Sequence, residues 1–207
     1  MEQRQKHIMR RVMRTFALMW ALTAVGLWLG SMLPESVRLP VSIGTFILLI
    51  IMIFVRKVRI LNAMAYAIPV LIGITLFWTT QFYIEQLGTQ LVLTVFGATI
   101  AMFVLLGVIG WAMPDIHHMG SYLFAALLVL IVFMFIFISV PVSNVVALGF
   151  ACAVVLLFVL YTIYDFNQMR YGHIEEQEVV VHALNLYLDF INLFVRVLEI
   201  VWRAKDA

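Results

Sequence analysis

Charged residues and cysteine are both scarce in this sequence of 207 residues, and each scarcity excludes a class of protein. Only 12% of the residues are charged and 65% are hydrophobic, which leaves too little polar surface to cover a soluble globule. The single cysteine, Cys152, excludes an intramolecular disulfide. No nucleic-acid-binding motif is found, and the basic residues lie near the ends of apolar runs, which suits lipid headgroups. The composition therefore predicts an integral membrane protein embedded in a lipid bilayer.

Apolar runs of about 20 residues, the length that a helix needs to cross a bilayer, follow one another along the chain. There are seven of them, at residues 13–33, 41–55, 61–83, 90–113, 120–140, 143–166 and 180–201. Because the connections between them are short, no room is left for a soluble domain. We therefore predict an all-α protein with seven transmembrane helices. Residues 1–207 form one membrane domain, with a short cytoplasmic amino terminus at 1–12 and spans over about 13–201.

The distribution of lysine and arginine predicts the orientation, since cytoplasmic loops retain basic residues. Nine of the 13 basic residues fall on the side of the amino terminus and three on the opposite side. We therefore expect the amino terminus in the cytoplasm and, with an odd number of spans, the carboxyl terminus outside. The basic start is expected to belong to a retained first helix, because its apolar run is longer than the core of a signal peptide.

Acidic residues are almost absent from the predicted spans. Of the eleven Asp and Glu residues, only Asp165, Asp189 and Glu199 lie within a span or at its edge. An aspartate at the centre of a membrane helix costs about 2.5 to 3.5 kcal/mol to insert, so it is expected to face protein or water and to have a function. Asp165 and Asp189 are each 12 residues from position 177, inside the last connection. In an antiparallel hairpin such residues have similar depth, so we predict that the two carboxylates are level.

Further polar residues lie on the helix faces that carry these aspartates. Spacings of three and four residues place there Tyr161, Gln168, His182, Asn185, Asn192, Arg196 and Glu199. On the last helix they form one polar stripe, which suits a helix whose stripe faces a partner or a water path. We predict that these residues line an ion path or support the aspartates. Arg196 and Glu199 are also spaced to pair with each other one turn apart.

Two carboxylates in one site of low dielectric constant have restricted chemistry. They cannot both ionise cheaply, so they share a proton and titrate as a pair. When both are deprotonated they form a hard oxygen site that attracts a divalent cation. Asp165 and Asp189, with Asn185, Asn192 and Tyr161, therefore predict a transient calcium site. A shared-proton clasp that holds two helices together without any transport is the alternative interpretation.

Two strings in the last two spans, YDFNQM at 164–169 and LYLDFINLF at 186–194, resemble the transmembrane Bax inhibitor motif family. The likeness is strongest to prokaryotic members that are pH-sensitive calcium leaks. It continues more weakly through LP at 39–40, GITLF at 73–77 and FGATIAMFVLLGVIG at 96–110, so it covers nearly the whole chain. The resemblance implies a bundle of six helices wrapped around a central seventh helix, located in the cytoplasmic membrane of a prokaryote.

The resemblance also implies a function and three site residues. The family's paired aspartates, which couple protonation to the opening of a calcium path, map onto Asp165 and Asp189. A basic residue at the cytoplasmic end of the second helix, which pairs with this pH sensor in such members, maps onto Arg56. A plain anchor at the cytoplasmic surface explains Arg56 equally well. Arg196 and Glu199 depart from the family pattern, so the resemblance assigns them no role.

Two other functions are compatible with parts of the sequence. Some members of the family are non-conducting regulators that bind other membrane proteins, such as a membrane-bound ATP-dependent protease. Intramembrane aspartyl proteases share the Tyr164-Asp165 pair, but they carry G-x-G-D on the seventh helix, where this chain has Leu186 to Asp189. They also need a later Pro-Ala-Leu segment, whereas the last proline here is Pro141. We therefore predict no enzymatic activity and no cofactor, with calcium as a transported ion and protons as the signal.

Overall fold

The structure, a computed structural model, describes residues 2–55, 57–140, 142–172 and 174–205. Within these residues it contains seven α-helices, one short 3-10 helix at Glu35–Val37 and no β-strand. The α-helices are α1 (Glu2–Met32), α2 (Arg38–Phe54), α3 (Val58–Leu87), α4 (Thr89–Ala112), α5 (Met119–Ser139), α6 (Asn144–Tyr171) and α7 (Val179–Lys205). The predicted all-α fold with seven helices is confirmed.

Helices α1 to α6 have the length and composition of membrane spans, and they are the six that qualify within the described residues. The seventh predicted span is present as α7, a helix of 27 residues. At about 1.5 Å per residue it is long enough to cross a bilayer, but it also carries the polar stripe. Its helical state is confirmed, whereas its crossing of the membrane stays a prediction.

Helices α1 and α6 each extend at least five residues beyond one end of their predicted spans. Helix α1 begins at Glu2 rather than near residue 13, so the basic amino-terminal segment continues the first span. Residues 2–12 contain neither proline nor glycine and are rich in Arg and Gln, which favour helix, so nothing interrupts the helix there. Helix α6 continues to Tyr171, about one turn beyond the predicted end at residue 166. This added turn includes the last three residues of the YDFNQM string, Asn167 to Met169.

The chain divides into two compact units, and the first comprises the residues up to Gln86 together with Ile174–Tyr187. Within it, α1 and α3 approach so closely that their glycines leave no room for side chains. A Cβ atom added to Gly26 would lie 2.2 Å from the carbonyl oxygen of Val70. One added to Gly73 would lie 2.4 Å from the carbonyl oxygen of Thr23. The small residues thus serve close helix packing, as in G-x-x-x-G motifs.

A buried hydrogen bond joins α7 to α1 in the same unit. Tyr187 is fully buried, and its hydroxyl lies 2.7 Å from the hydroxyl of Thr23. Because the Thr23 hydroxyl donates to the carbonyl oxygen of Met19, Tyr187 is the donor in this bond. The ring of Tyr187 also packs edge to face against Trp20, with centroids 5.7 Å apart. The first part of α7 is thereby fixed to α1.

The second unit contains α4, α5, α6 and the part of α7 from Leu188 onward. Helices α4 and α6 form its main packing contact. A Cβ atom added to Gly110 would lie 2.3 Å from the carbonyl oxygen of Ile163, and one added to Gly107 would lie 3.0 Å from the ring of Phe166. This close approach positions the segment of α6 that carries Asp165.

Candidate functional site

Asp165 on α6 and Asp189 on α7, which we call the carboxyl pair, both lie in the second unit. Their exposed fractions are only 5% and 4%. The Oδ2 atom of each is buried and has no hydrogen-bond partner within the described residues. The two groups are close enough to interact electrostatically. Two buried acids next to each other, each with an unsatisfied oxygen, are costly to maintain and therefore indicate a function.

Phenylalanine rings hold α6 and α7 in place beside the carboxyl pair. Phe166 directly follows Asp165, and Phe190 directly follows Asp189. Both rings pack edge to face on Phe103 of α4, with centroid distances of 5.5 Å and 5.3 Å. Because each anchored ring is one residue away from an aspartate, Phe103 sets the positions of both aspartates together. Nothing in the sequence distinguishes Phe103 from the many other apolar residues of α4.

Asn167 on α6 satisfies the backbone at the end of α4. The residue is fully buried, and its Oδ1 atom accepts a hydrogen bond from the backbone N–H of Ile116 at 3.1 Å. Its Nδ2 atom donates to the carbonyl oxygens of Gly110 and Pro114, both at 3.0 Å. A third carbonyl oxygen, that of Met113, lies at 3.3 Å. The last carbonyls of a helix have no intrahelical partner, so this single amide replaces several missing bonds.

No role was predicted for Asn167, although the sequence contains a signal for it. The residue lies in YDFNQM, two positions after Asp165, and Pro114 follows soon after the end of the fourth apolar run. A buried asparagine in a membrane helix needs partners, and the unpaired carbonyls at a helix end are suitable acceptors. The hydrogen-bond partners of Asn167 can be identified only when it is known that α4 packs against α6.

The predicted supporting residues differ in whether they interact with the carboxyl pair. Tyr161 is half-buried and interacts electrostatically with both aspartates. Gln168 has its Nε2 atom buried with no hydrogen-bond partner within the described residues. Asn192 donates from Nδ2 to the carbonyl oxygen of Leu188 at 2.8 Å, on its own helix. Tyr161 is therefore the predicted supporting residue that the structure connects to both members of the pair.

His182 and Asn185, the first two residues of the polar stripe, belong to the first unit. Asn185 is exposed. His182 is half-buried, and its Nδ1 atom has no hydrogen-bond partner within the part of the chain that is described. It lines a pocket of about 280 Å³ together with Val58, Leu61, Gln177, Glu178 and Val181. Arg56 lies outside the described residues, so its pairing with the carboxyl pair stays a prediction.

Arg196 and Glu199, at the other end of the stripe, form the pair that their spacing allows. Arg196 donates from Nη1 to Oε2 of Glu199 at 2.5 Å. The other carboxylate oxygen, Oε1, accepts from Nε of Arg203 at 2.9 Å. The charges at this end of α7 are therefore organised into a network rather than isolated.

Within the described residues there is no group of three or more His, Cys, Asp and Glu side chains that could hold a metal ion. The carboxyl pair supplies two such groups.

Another acid, Asp115, lies in the exposed connection between α4 and α5, where its Oδ1 atom accepts a hydrogen bond from the backbone N–H of His117 at 2.9 Å. This bond stabilises the ionised carboxylate and holds the pKa of Asp115 below its ordinary value.

Comparison with known proteins places these features in a family. The sequence model of the family described as "Inhibitor of apoptosis-promoting Bax1" matches residues 4–206. Protein LIFEGUARD 4 of Arabidopsis thaliana is 30% identical over 152 residues, which are 71% of this chain and 57% of that protein. Bax inhibitor 1 of Schizosaccharomyces pombe is 29% identical over 134 residues, which are 65% of this chain and 49% of that protein.

Bacterial relatives are also present. An uncharacterized protein of Helicobacter pylori strain J99 is 33% identical over 146 residues, which are 69% of this chain and 61% of that protein. The chain thus spans about half to three fifths of the length of these relatives. The family match, in contrast, covers nearly every residue and includes both members of the carboxyl pair. The protein belongs to the Bax inhibitor family.

Proposed function

We propose that the protein is a pH-sensitive leak for calcium ions across a membrane, controlled by protonation of the carboxyl pair. One observation carries the proposal: Asp165 and Asp189 are buried, interact with each other, and each leave an oxygen without a hydrogen-bond partner within the described residues. A purely structural pair of acids is expected to satisfy its oxygens with donors from the protein. These oxygens are instead available to a proton or a cation.

The charge of the carboxyl pair changes with pH and thereby controls the calcium path. With one shared proton the two carboxyl groups attract each other and hold α6 to α7. When that proton is lost, two like charges repel in surroundings of low dielectric constant, and the pair attracts a divalent cation. Asp165 and Asp189 lie on different helices, so a change in their charge alters the force between those helices. Protonation therefore controls conduction through the force between α6 and α7.

Calcium enters this scheme as the transported ion. It takes about six to eight oxygen ligands, and the pair offers at most four carboxylate oxygens. The hydroxyl of Tyr161 is the nearby protein oxygen that interacts with both carboxylates. An ion at the pair must therefore keep several of its water molecules. Incomplete coordination favours release over storage and suits a passage site.

Calcium flux into liposomes that contain the purified full-length protein tests the proposal. Flux is measured with a fluorescent calcium indicator at a series of external pH values from about 5 to 9. We expect flux above that of empty liposomes, with a sigmoidal dependence on pH. Asp165→Asn and Asp189→Asn are each expected to remove that dependence, because a single carboxyl group cannot share a proton with a neutral amide in the same way.

Asp115→Asn is the matched control, since it makes the same chemical change at an exposed carboxylate in a connection. It is expected to leave both the flux and its pH dependence unchanged. Flux equal to that of empty liposomes at every pH contradicts the proposal. So does an unaltered pH dependence in both Asp165→Asn and Asp189→Asn.

The names of the family and of one relative support a second candidate function. The family description and the fission-yeast relative both refer to inhibition of Bax, which is an action on another protein. By this analogy the chain is a non-conducting regulator that binds another membrane protein. Replacement of both aspartates by asparagine separates the two functions, because it abolishes a leak and leaves binding through exposed surfaces intact. The bacterial relatives support placing either function in a prokaryotic cytoplasmic membrane.

A further inference from the structure

The carboxyl end of α7 and the amino end of α6 are joined by a charged network that the carboxyl pair does not involve. Glu199 accepts from Arg196 at 2.5 Å through Oε2 and from Arg203 at 2.9 Å through Oε1. Arg203 also donates from Nη1 to Oδ1 of Asn144 at 3.2 Å, and its carbonyl oxygen accepts from Nδ2 of Asn144 at 3.2 Å. We call Arg196, Glu199 and Arg203 the arginine cluster.

The arginine cluster has one positive charge in excess. It contains two guanidinium groups and one carboxylate, and both oxygens of that carboxylate are already occupied by the arginines. The exposed fraction of the Glu199 side chain is 13%, against 27% for Arg196 and 23% for Arg203. Of the three guanidinium nitrogens of Arg196, only Nη1 has a hydrogen-bond partner within the described residues. The cluster therefore buries its anion and presents unsatisfied cationic N–H groups outward.

The position of the cluster along the chain sets its depth in a membrane. Arg203 precedes the end of α7 at Lys205, and its partner Asn144 is the first residue of α6. Residue 144 also lies at the predicted start of the sixth span and residue 203 just beyond the predicted end of the seventh, so we expect this level near the boundary between hydrocarbon and headgroups. The guanidinium of Arg196 is directed toward Glu199, and so toward this end of α7. Long basic side chains reach headgroups in this manner.

We propose that the arginine cluster binds the phosphate group of an anionic phospholipid. Planar guanidinium groups match phosphate oxygens with paired hydrogen bonds, and an excess cation that is half-buried at a membrane boundary needs an anionic partner. The helix dipole of α6, whose positive end is at Asn144, adds to the attraction. A soluble phosphate offers the same oxygens, but a lipid also covers the apolar surface beside the cluster. The proposal does not depend on calcium transport.

Native mass spectrometry of the purified full-length protein in detergent tests this binding. The probes are phosphatidylglycerol, which is anionic, and phosphatidylcholine, which carries the same phosphate but no net charge. We expect phosphatidylglycerol to bind about fivefold more tightly, and Arg196→Gln or Arg203→Gln to remove this preference. Arg38→Gln is the matched control, because the Arg38 side chain is 39% exposed, pairs with Glu35 at 3.9 Å and is predicted to lie on the same side of the membrane. It is expected to keep the preference.

Glu199→Gln distinguishes a lipid site from a structural clamp. It removes the only negative charge of the cluster, so a lipid site should bind phosphatidylglycerol about fivefold more tightly than before. A clamp without a ligand predicts that Glu199→Gln and Arg196→Gln lower the midpoint of thermal unfolding and leave lipid preference unchanged, and this result overturns the proposal. If Arg196→Gln does not fold, Arg203→Gln replaces it, because it also removes one positive charge from the cluster.

Inorganic phosphate provides the last comparison. If millimolar phosphate displaces phosphatidylglycerol from the unaltered protein, the cluster is a site for soluble anions and the lipid proposal is wrong. If it does not, the acyl chains contribute to recognition, as a membrane-boundary site requires. Equal affinity for the anionic and the uncharged lipid in the unaltered protein also refutes the proposal.

Discussion

The rings of Phe103 on α4 and Phe190 on α7 meet edge to face, with their centroids 5.3 Å apart. The same Phe103 ring meets Phe166 of α6 at 5.5 Å. The two contacted rings are the immediate neighbours of Asp189 and Asp165 in the sequence. One aromatic side chain on a third helix thus positions both buried acids, and a change in the charge of the pair must act against this packing.

Phe103→Ala is expected to loosen α6 and α7 together. Phe103 is buried, and truncation of a buried Phe to Ala costs about 3 to 5 kcal/mol, which includes the loss of two edge-to-face pairs, so we expect a reduction of this size in the free energy of unfolding. Thermal unfolding of the detergent-solubilised protein measures this change. Phe124→Ala on α5 is the control, because Phe124 is 47% exposed and its loss should alter the midpoint little. Equal shifts in the two variants contradict a special role for Phe103.

The amide of Asn167 is expected to be essential for the end of α4. Asn167→Leu keeps a similar size but removes one acceptor and the donors to three backbone carbonyls. Each buried polar group left without a partner costs about 1 to 3 kcal/mol, so we expect a large loss of stability. Asn167→Asp should be at least as harmful, since its carboxylate faces carbonyl oxygens. Asn185→Leu, at an exposed position, should leave the unfolding midpoint unchanged in the same assay.

The contact between α1 and α3 predicts sharply different results for two glycines. Gly26→Ala places a Cβ atom 2.2 Å from a carbonyl oxygen of α3, so the helices must separate. Overpacking of this kind costs about 1 to 3 kcal/mol. Gly44→Ala on α2 meets no atom within 4 Å and should be neutral or slightly stabilising, because alanine favours helix. Thermal unfolding and the yield of folded protein compare the two, and similar behaviour would show that the close contact is absent.

Most of the helices could be predicted from the sequence, because long apolar runs separated by short polar connections leave few alternatives. The start of α1 and the last turn of α6 were not predicted, because both consist largely of polar residues. A criterion based on apolar runs cannot detect such segments. The equal spacing of Asp165 and Asp189 from residue 177 predicts that they share a level in the membrane, which stays a prediction, and the structure places the two groups close enough to interact electrostatically. That prediction needed only the geometry of a hairpin.

The parts of the site that were not predictable depend on contacts between helices that are distant in sequence. Phe103 is one of many apolar residues in α4, and nothing in its own sequence context marks it as the ring between Phe166 and Phe190. The bonds of Asn167 join residues 51 to 57 positions apart. Periodicity identifies which face of a helix a residue occupies, but it does not identify which other helix that face meets.

The predicted orientation of the chain can be tested without any assay of function. Nine basic residues on one side and three on the other predict a cytoplasmic amino terminus, because translocation of a basic segment is unfavourable. A reporter that fluoresces only in the cytoplasm should be active when it is fused to the amino terminus. If α7 crosses the bilayer, a phosphatase that is active only outside should be active when it is fused to the carboxyl terminus. A phosphatase that is inactive at the carboxyl terminus, together with a fluorescent reporter there, would show that α7 does not cross the bilayer, even though the helix is long enough to do so.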